Sequence, residues 1–243
     1  ILKKYNDKIL CENTIIKIVR EQGYKIRPNG MQTHIENEDF FHIIDTEEKA
    51  YLLGFMISDG YIIKECGTRK HSPIVGLTLQ SQDKYILEYM KKLIGVNNKI
   101  TEYCRIKNNG VFYENSLCIS SKQISEDLAQ YGVVPRKSHI IKFPYNIDKK
   151  FYSHLIRGIF DGDGCISNQL ITFYGNESLV NSIKDILQTV LNINNVKTIK
   201  RIGCYSFTFS AKKDVFNFYN YIYKDATIYL TRKKEKFEKL FNI

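Results

Sequence analysis

Nowhere in the 243 residues does an apolar run approach the ~18 residues of a membrane span, and no signal-peptide pattern opens the chain. The six cysteines (Cys11, Cys66, Cys104, Cys118, Cys165, Cys204) include no Cys-x-x-Cys pair. That excludes the common zinc arrangements, and the wide scatter argues against a disulfide framework. They read instead as reduced, mostly buried thiols in a cytosolic protein. The five histidines (His34, His42, His71, His139, His154) lack metal or nuclease spacing and read as structural or surface residues. Acid is also in deficit: 26 acidic residues against 36 basic ones give +10 and a pI near 9.1. The surplus favours a polyanionic partner, nucleic acid first and an anionic membrane second. The length suffices for a sizeable core in one domain or two small ones.

Two stretches stand out. Leu52-Leu53-Gly54-Phe55-Met56-Ile57-Ser58-Asp59-Gly60 and Ile156-Arg157-Gly158-Ile159-Phe160-Asp161-Gly162-Asp163-Gly164 each read as an apolar helix running into an acidic, glycine-terminated end. A mid-helix glycine costs roughly 1 kcal/mol against alanine. Gly54 and Gly158 in matching places therefore predict close backbone contact, a helix interface. Two such helices packed side by side bring two carboxylates, Asp59 and Asp163, together at one end.

The rest of the chain repeats around them. Residues 1–44 form an N-terminal appendage. In it Asn13 or Thr14 caps a helix with Ile15, Ile18 and Val19 on one face, and Gly23 stops it. The run Glu12 to Arg27 resembles the last helix of a helix-turn-helix unit, and a plain packing helix fits it equally. Residues 45–147 form a first half and its linker, 148–243 a second half. Asp45 with Glu48 makes a capping box for the first motif helix. Strands follow at 61–63 and 75–80, a helix at 82–94, strands at 99–107 and 111–120 about an Asn108-Asn109-Gly110 turn, and a helix at 121–131. Thr78-Leu79-Gln80 matches Thr172-Phe173-Tyr174, and Ser116-Leu117-Cys118 matches Ser206-Phe207-Thr208. The predicted fold is mixed α/β (α+β), two pseudo-symmetric α-β-β-α-β-β-α halves with antiparallel sheets. A pseudo-two-fold dimer in one chain, itself monomeric, is expected. The basic stretch from Tyr229 to Phe237 reads as a solvated helical face.

The paired motifs resemble the signature of the LAGLIDADG homing endonucleases, in the single-chain form that carries two copies. The resemblance spans roughly Asp45 to Phe241. It implies saddle-shaped sheets about a central pair of motif helices, and hydrolysis of both DNA strands with Mg²⁺ or Mn²⁺, Ca²⁺ binding without supporting cleavage. It implies that Asp59 and Asp163, with Gly60 and Gly164 beside them, hold the metal. Asp161 has Ile57 as its counterpart in the first half and reads as a helix-end or packing residue. The resemblance also implies a lysine or other polar residue just after the second strand of each half. Gln80, Ser81 or Gln82 and Tyr174 or Gly175 stand there, no lysine among them. Gln80 is thus the third catalytic candidate, able to order a water.

Double-stranded DNA with a long asymmetric site is the implied partner, with no membrane, in the cytoplasm, nucleoid or organellar matrix. Thr101, Tyr103, Arg105 and Lys107 share one strand face opposite Ile100, Cys104 and Ile106. Lys200, Arg201, Ser206 and Thr208 are their counterparts in the second half. Basic side chains there would hold phosphates and the polar ones would read base edges. An intron maturase or a non-catalytic DNA- or RNA-binding protein on the same scaffold is the alternative.

Overall fold

The computed structural model describes residues 18, 21–23, 34–64, 72–107, 110–194 and 196–243. The chain divides into two compact units, Ile1–Thr33 and His34–Ile243. In the first, Ile18 and Glu21 are helical, the Gln22 N–H donates to Ile18 O at 3.1 Å, and Gly23 turns to φ +78°. That left-handed turn is the helix stop read from the sequence. Asn13, Thr14, Ile15 and Val19, and most of Glu12 to Arg27, lie outside the described residues. Residues 34–44 go with the second unit: Ile35 bridges Val96, and Phe40, Phe41 and Ile44 are buried in its core.

The second unit contains seven helices and two four-stranded sheets among the described residues. The first half runs α1 (Glu47–Ser58), β1 (Tyr61–Ile63), β2 (Ile74–Gln80), α2 (Lys84–Ile94), β3 (Thr101–Lys107), β4 (Gly110–Ser120) and α3 (Lys122–Gln130). The second runs α4 (Tyr152–Asp163), β5 (Cys165–Ser167), β6 (Leu170–Gly175), α5 (Glu177–Leu191), β7 (Ile199–Lys200), β8 (Tyr205–Phe209) and α6 (Lys212–Tyr223), and α7 (Thr231–Phe241) follows. Both sheets are antiparallel and share one strand order, β1-β2-β4-β3 and β5-β6-β8-β7. The duplication is thus a duplication of topology.

Strand register refines the alignment of the halves. Tyr61, the residue after Gly60, pairs with Gly76, and Cys165, the residue after Gly164, pairs with Thr172. Gly76 in turn faces Cys118, and Thr172 faces Thr208. Gly76 and Thr172 are therefore equivalent, so Thr78 corresponds to Tyr174 and Gln80 to Asn176. The sequence match of Thr78 with Thr172 is two residues out of step. Alternation cannot detect such a slip, because two residues return a side chain to the same face.

Helices α1 and α4 pack together at the centre. A Cβ at Gly54 would lie 2.8 Å from Gly158 Cα, and one at Gly158 would lie 2.9 Å from Gly54 Cα and against the Tyr51 carbonyl. Only glycine allows this approach. The cap of α1 differs from the expected box: Thr46 Oγ1 accepts the Lys49 N–H at 3.3 Å, while Asp45 pairs with the Lys49 ammonium at 2.8 Å. The fully buried Arg157 crosses the seam, donating to Glu47 Oε1 at 2.7 Å and to the carbonyls of Ile222 and Ile228 at 2.6 and 3.0 Å. The stretch 227–233 works as a strap over both halves. The Thr227 N–H donates to Glu47 at 2.7 Å, Tyr85 donates to Tyr229 O at 2.9 Å and Arg232 meets Asp83 at 3.0 Å.

Behind the sheets the two halves bury different material. The first uses aliphatic side chains such as Leu77, Ile86, Leu117 and Ile124; the second stacks Phe173 on Phe207 at 5.0 Å, with Phe160, Phe218 and Phe237 around them. The architecture is the same, and one continuous core joins these differently filled halves.

Candidate active site

The paired helix ends build the site. Asp59 caps α1 and Asp163 is the last residue of α4; both are exposed at their tips. They belong to one constellation, since a Cβ on Gly162, beside Asp163, would meet Asp59 Oδ2 at 2.7 Å. Protein packed behind the tips strips water from both carboxyls. Desolvation, then the Asp163 charge, lifts Asp59 from 3.8 to about 6 against the pull of Lys233 and Lys137. Asp163 is raised too, by burial, with Lys137 and Lys233 opposing. Two carboxylates that repel each other, with water able to reach them, want a cation between them.

Two lysines approach that are absent from the predicted places. Lys137 sits after α3, where Arg136 takes the left-handed conformation (φ +58°) and turns the chain inward. Its ammonium donates to Ser58 O at 2.9 Å, at the end of α1. Lys233 follows α6 and donates to Phe160 O, Asp161 O and Gly164 O at 2.5, 2.8 and 2.6 Å, at the end of α4. Each cation thus sits at the negative pole of its half's motif helix. Burial pulls both lysines down, Lys233 to about 8, while the nearby carboxylates push back. Neither falls where the resemblance looked for a lysine. The missed signal was a second repeat: Arg136-Lys137 and Arg232-Lys233, which come after the equivalent helices α3 and α6.

The remaining candidates sort by position. Gln80 is exposed at the end of β2, its Oε1 accepting from Gln82 Nε2 at 2.8 Å. Gly60 is buried, its N–H donating to Phe55 O at 3.1 Å. The Gly164 carbonyl already faces the Lys233 ammonium, which leaves it poorly suited to a metal. Asp161 is 1% exposed, accepting from Tyr51 Oη and the Leu230 N–H, both at 2.8 Å. It is a packing residue, as its sequence position suggested.

Register sets out the open face of each sheet. Thr101, Tyr103 and Arg105 stand on the side that also carries Tyr61, Thr78 and Ser116. Lys107 falls in phase with them, but its side chain lies outside the described residues. Arg105 pairs with Glu114 at 2.8 Å. The opposite side of β3 differs from expectation: Cys104 is exposed and Ile106 is 84% exposed, because the β3–β4 hairpin runs beyond the helices that cover the sheet. In the second half Lys200 and Arg201 are exposed, but Ser206 is buried at 1%, its hydroxyl accepting from Arg201 Nε at 3.2 Å. Ser206 therefore props an arginine and offers no free hydroxyl. Thr208 is half-buried and bonds Thr172 at 3.0 Å. A cavity of about 790 Å³ joins Asp163 to the second sheet, lined among others by Lys137, Tyr174, Asn176, Lys200 and Arg201.

Known proteins share this fold. The homing endonuclease I-WcaI, solved bound to its DNA recognition sequence, superposes with a TM-score of 0.59 over 90% of this chain and 97% of its own, at 15% identity. I-DmoI in complex with DNA and Mn gives 0.50 over 77% and 98%, at 18% identity. Full-length DUF199/WhiA from Thermatoga maritima gives 0.50 over 86% and 66%, at 16% identity. In sequence, the RNA polymerase subunit Rpo1C of Methanocaldococcus jannaschii is 27% identical over 155 residues, 61% of this chain but only 16% of that protein. No family model matches the chain. The fold is that of the LAGLIDADG homing endonucleases. Within it the chain has the two-copy form, with both motif helices in one polypeptide.

Proposed function

We propose that this chain is a site-specific DNA endonuclease that hydrolyses both strands of a long asymmetric site with a divalent cation, Mg²⁺ or Mn²⁺. The observation that carries the reading is the matched pair of helix tips, Asp59 and Asp163, each half adding a lysine, Lys137 or Lys233, at its own helix end. A structural pair would be buried and neutralised. This one is exposed, mutually repelling and set beside basic sheet faces.

The donor set fits a hard dication. Asp59 and Asp163 would hold it. Water and phosphate oxygens complete such a shell. When bound, the ion lowers the pKa of a water and neutralises charge developing on phosphate. The chain's own residues do the rest. Lys137 and Lys233 fix the two helix ends and add positive charge toward the phosphates. Gln80 orients a water by its amide. Arg105, Arg201 and Lys200 hold the duplex backbone, with Thr101, Tyr103 and Thr208 on the sheets.

Selection from a randomised duplex library, scored for cleavage with and without Mg²⁺, tests the reading. Cut duplexes should appear only with the cation. Asp59→Asn and Asp163→Asn should each lower double-strand cutting by about 10³-fold or more, in line with losing a metal-borne or electrostatic contribution. Binding should change little. Both single variants still cutting would overturn the proposal.

A further inference from the structure

Glu47 opens α1 and His154 lies in the first turn of α4, at the opposite ends of those helices from Asp59 and Asp163. Around them a largely buried polar cluster joins both halves to the strap, and the reaction proposed above leaves it unused. Glu47 Oε1 accepts from Arg157 Nη2 and from the Thr227 N–H, both at 2.7 Å, and its Oε2 accepts the Thr227 hydroxyl at 3.1 Å. Arg157 Nη1 stands 2.8 Å from His154 Nδ1. A guanidinium has donors only, so Nδ1 presents its lone pair and the ring proton belongs on Nε2. His154 is therefore a neutral imidazole, held as an acceptor. Counted from the paired aspartates, Ala50 and Leu53 stand in α1 where α4 has His154 and Arg157. The cluster is not symmetric between the halves.

Protonation inverts the arrangement. An imidazolium donates from both nitrogens, so Nδ1 would aim a proton at Arg157 and lose that bond. The carboxylate next in reach is Glu47, its Oε1 3.9 Å away and already serving Arg157 and Thr227. The charged groups facing the ring are Arg157 on its own helix, Glu47 and Glu48 on α1, and Asp225 after α6. Tyr51 and Tyr223 lie against the guanidinium. Burial, then Arg157, pulls the imidazole below its ordinary 6.5, with Glu47, Asp225 and Glu48 opposing. The stability tied to the neutral ring is thus full above about pH 6.5 and lost as pH falls below it. The His154 side chain keeps 15% of its surface, so solvent protons reach it.

We infer that His154 is a proton-sensitive latch: the neutral ring clamps the strap to the seam, and the protonated ring releases it at Thr227. The strap runs on through Leu230, bonded to Asp161, to Lys233, so release loosens the hold of that ammonium on the end of α4. For its effect on cutting, the inference rests on the endonuclease reading above.

Hydrogen exchange of the Thr227 amide in the full chain, corrected for the intrinsic rate, tests the latch. Between about pH 7.5 and about pH 5.5 its protection should fall by about 10-fold in wild type, as one proton is taken up below 6.5. It should stay level in His154→Asn, whose Oδ1 keeps an acceptor near the place of Nδ1 but takes no proton. Ring ¹⁵N shifts of wild type at the higher pH should report the Nε2–H tautomer, a check that needs no variant. Cutting of a selected duplex in Mg²⁺ is read as the ratio of variant to wild type, which cancels carboxylates that titrate alike in both. That ratio should rise by about 3-fold or more at the lower pH. An Nδ1–H tautomer, or equal loss of Thr227 protection in both proteins, would overturn the latch and leave the endonuclease reading standing. An unchanged ratio would overturn the link to cutting. No duplex cut by either protein at any pH would overturn the endonuclease reading, while Thr227 exchange still decides the latch.

Discussion

Lys233 is 5% exposed, yet its ammonium meets three carbonyls at the end of α4 and lies beside Asp161. Such residues were illegible in the sequence, where 229–237 reads as a solvated basic face. What buries Lys233 is a long-range contact, and periodicity reports only a helix's own stripe. Asp59 and Asp163, by contrast, were visible because a repeated motif names its own ends. Asp161 yields a prediction at this scale. Burial lifts its carboxyl from 3.8 to about 6, against Lys233 and the bonds from Leu230 and Tyr51. Oδ1 has no partner among the described residues, which suits the neutral acid. The folded state thus holds the proton more tightly, so the associated stability is full below about pH 4 and lost as pH rises through about 6. Asp161→Asn keeps both accepted bonds and removes the titration. Urea unfolding should then decline less between pH 4 and 7 than in wild type, by about 2 kcal/mol. An identical decline in both proteins would assign the loss elsewhere.

At the scale of elements, the glycine contact between α1 and α4 sets where the two acids stand. A methyl at Gly158 would sit against the Tyr51 carbonyl of the facing helix, and backbone cannot rotate aside as a side chain can. Gly158→Ala should therefore cost about 2–3 kcal/mol of stability. Cutting should fall further than the lost folded fraction explains, because the helix ends separate. Wild-type stability in this variant, measured by denaturant unfolding, would refute the close-packing account. Element order was largely legible from alternation, helical spacing and the Asn-Gly turn. The capping residue moved by one, from Asp45 to Thr46, because adjacent polar residues compete for the same N–H. The β3–β4 hairpin deceived alternation differently: Cys104 and Ile106 have an inward pattern but no helix over them.

For the whole molecule, a charge of +10 and basic side chains on two open sheet faces point to backbone-dominated association with the duplex. Affinity should fall linearly with the logarithm of salt, and Arg201→Ala should reduce that slope by about 1. A slope indifferent to Arg201 would place the duplex elsewhere. The strap at 227–233 has a temporal consequence. Ribosomes deliver the first acidic tip long before Arg232 and Lys233 exist. A chain interrupted before Thr227 would carry both aspartates but not the ammonium at the end of α4, nor the bonds from Thr227, Tyr229 and Arg232 to the first half. If the chain is the endonuclease proposed above, copies interrupted before this strap should fail to cut, so cutting would begin only after the last helix is made.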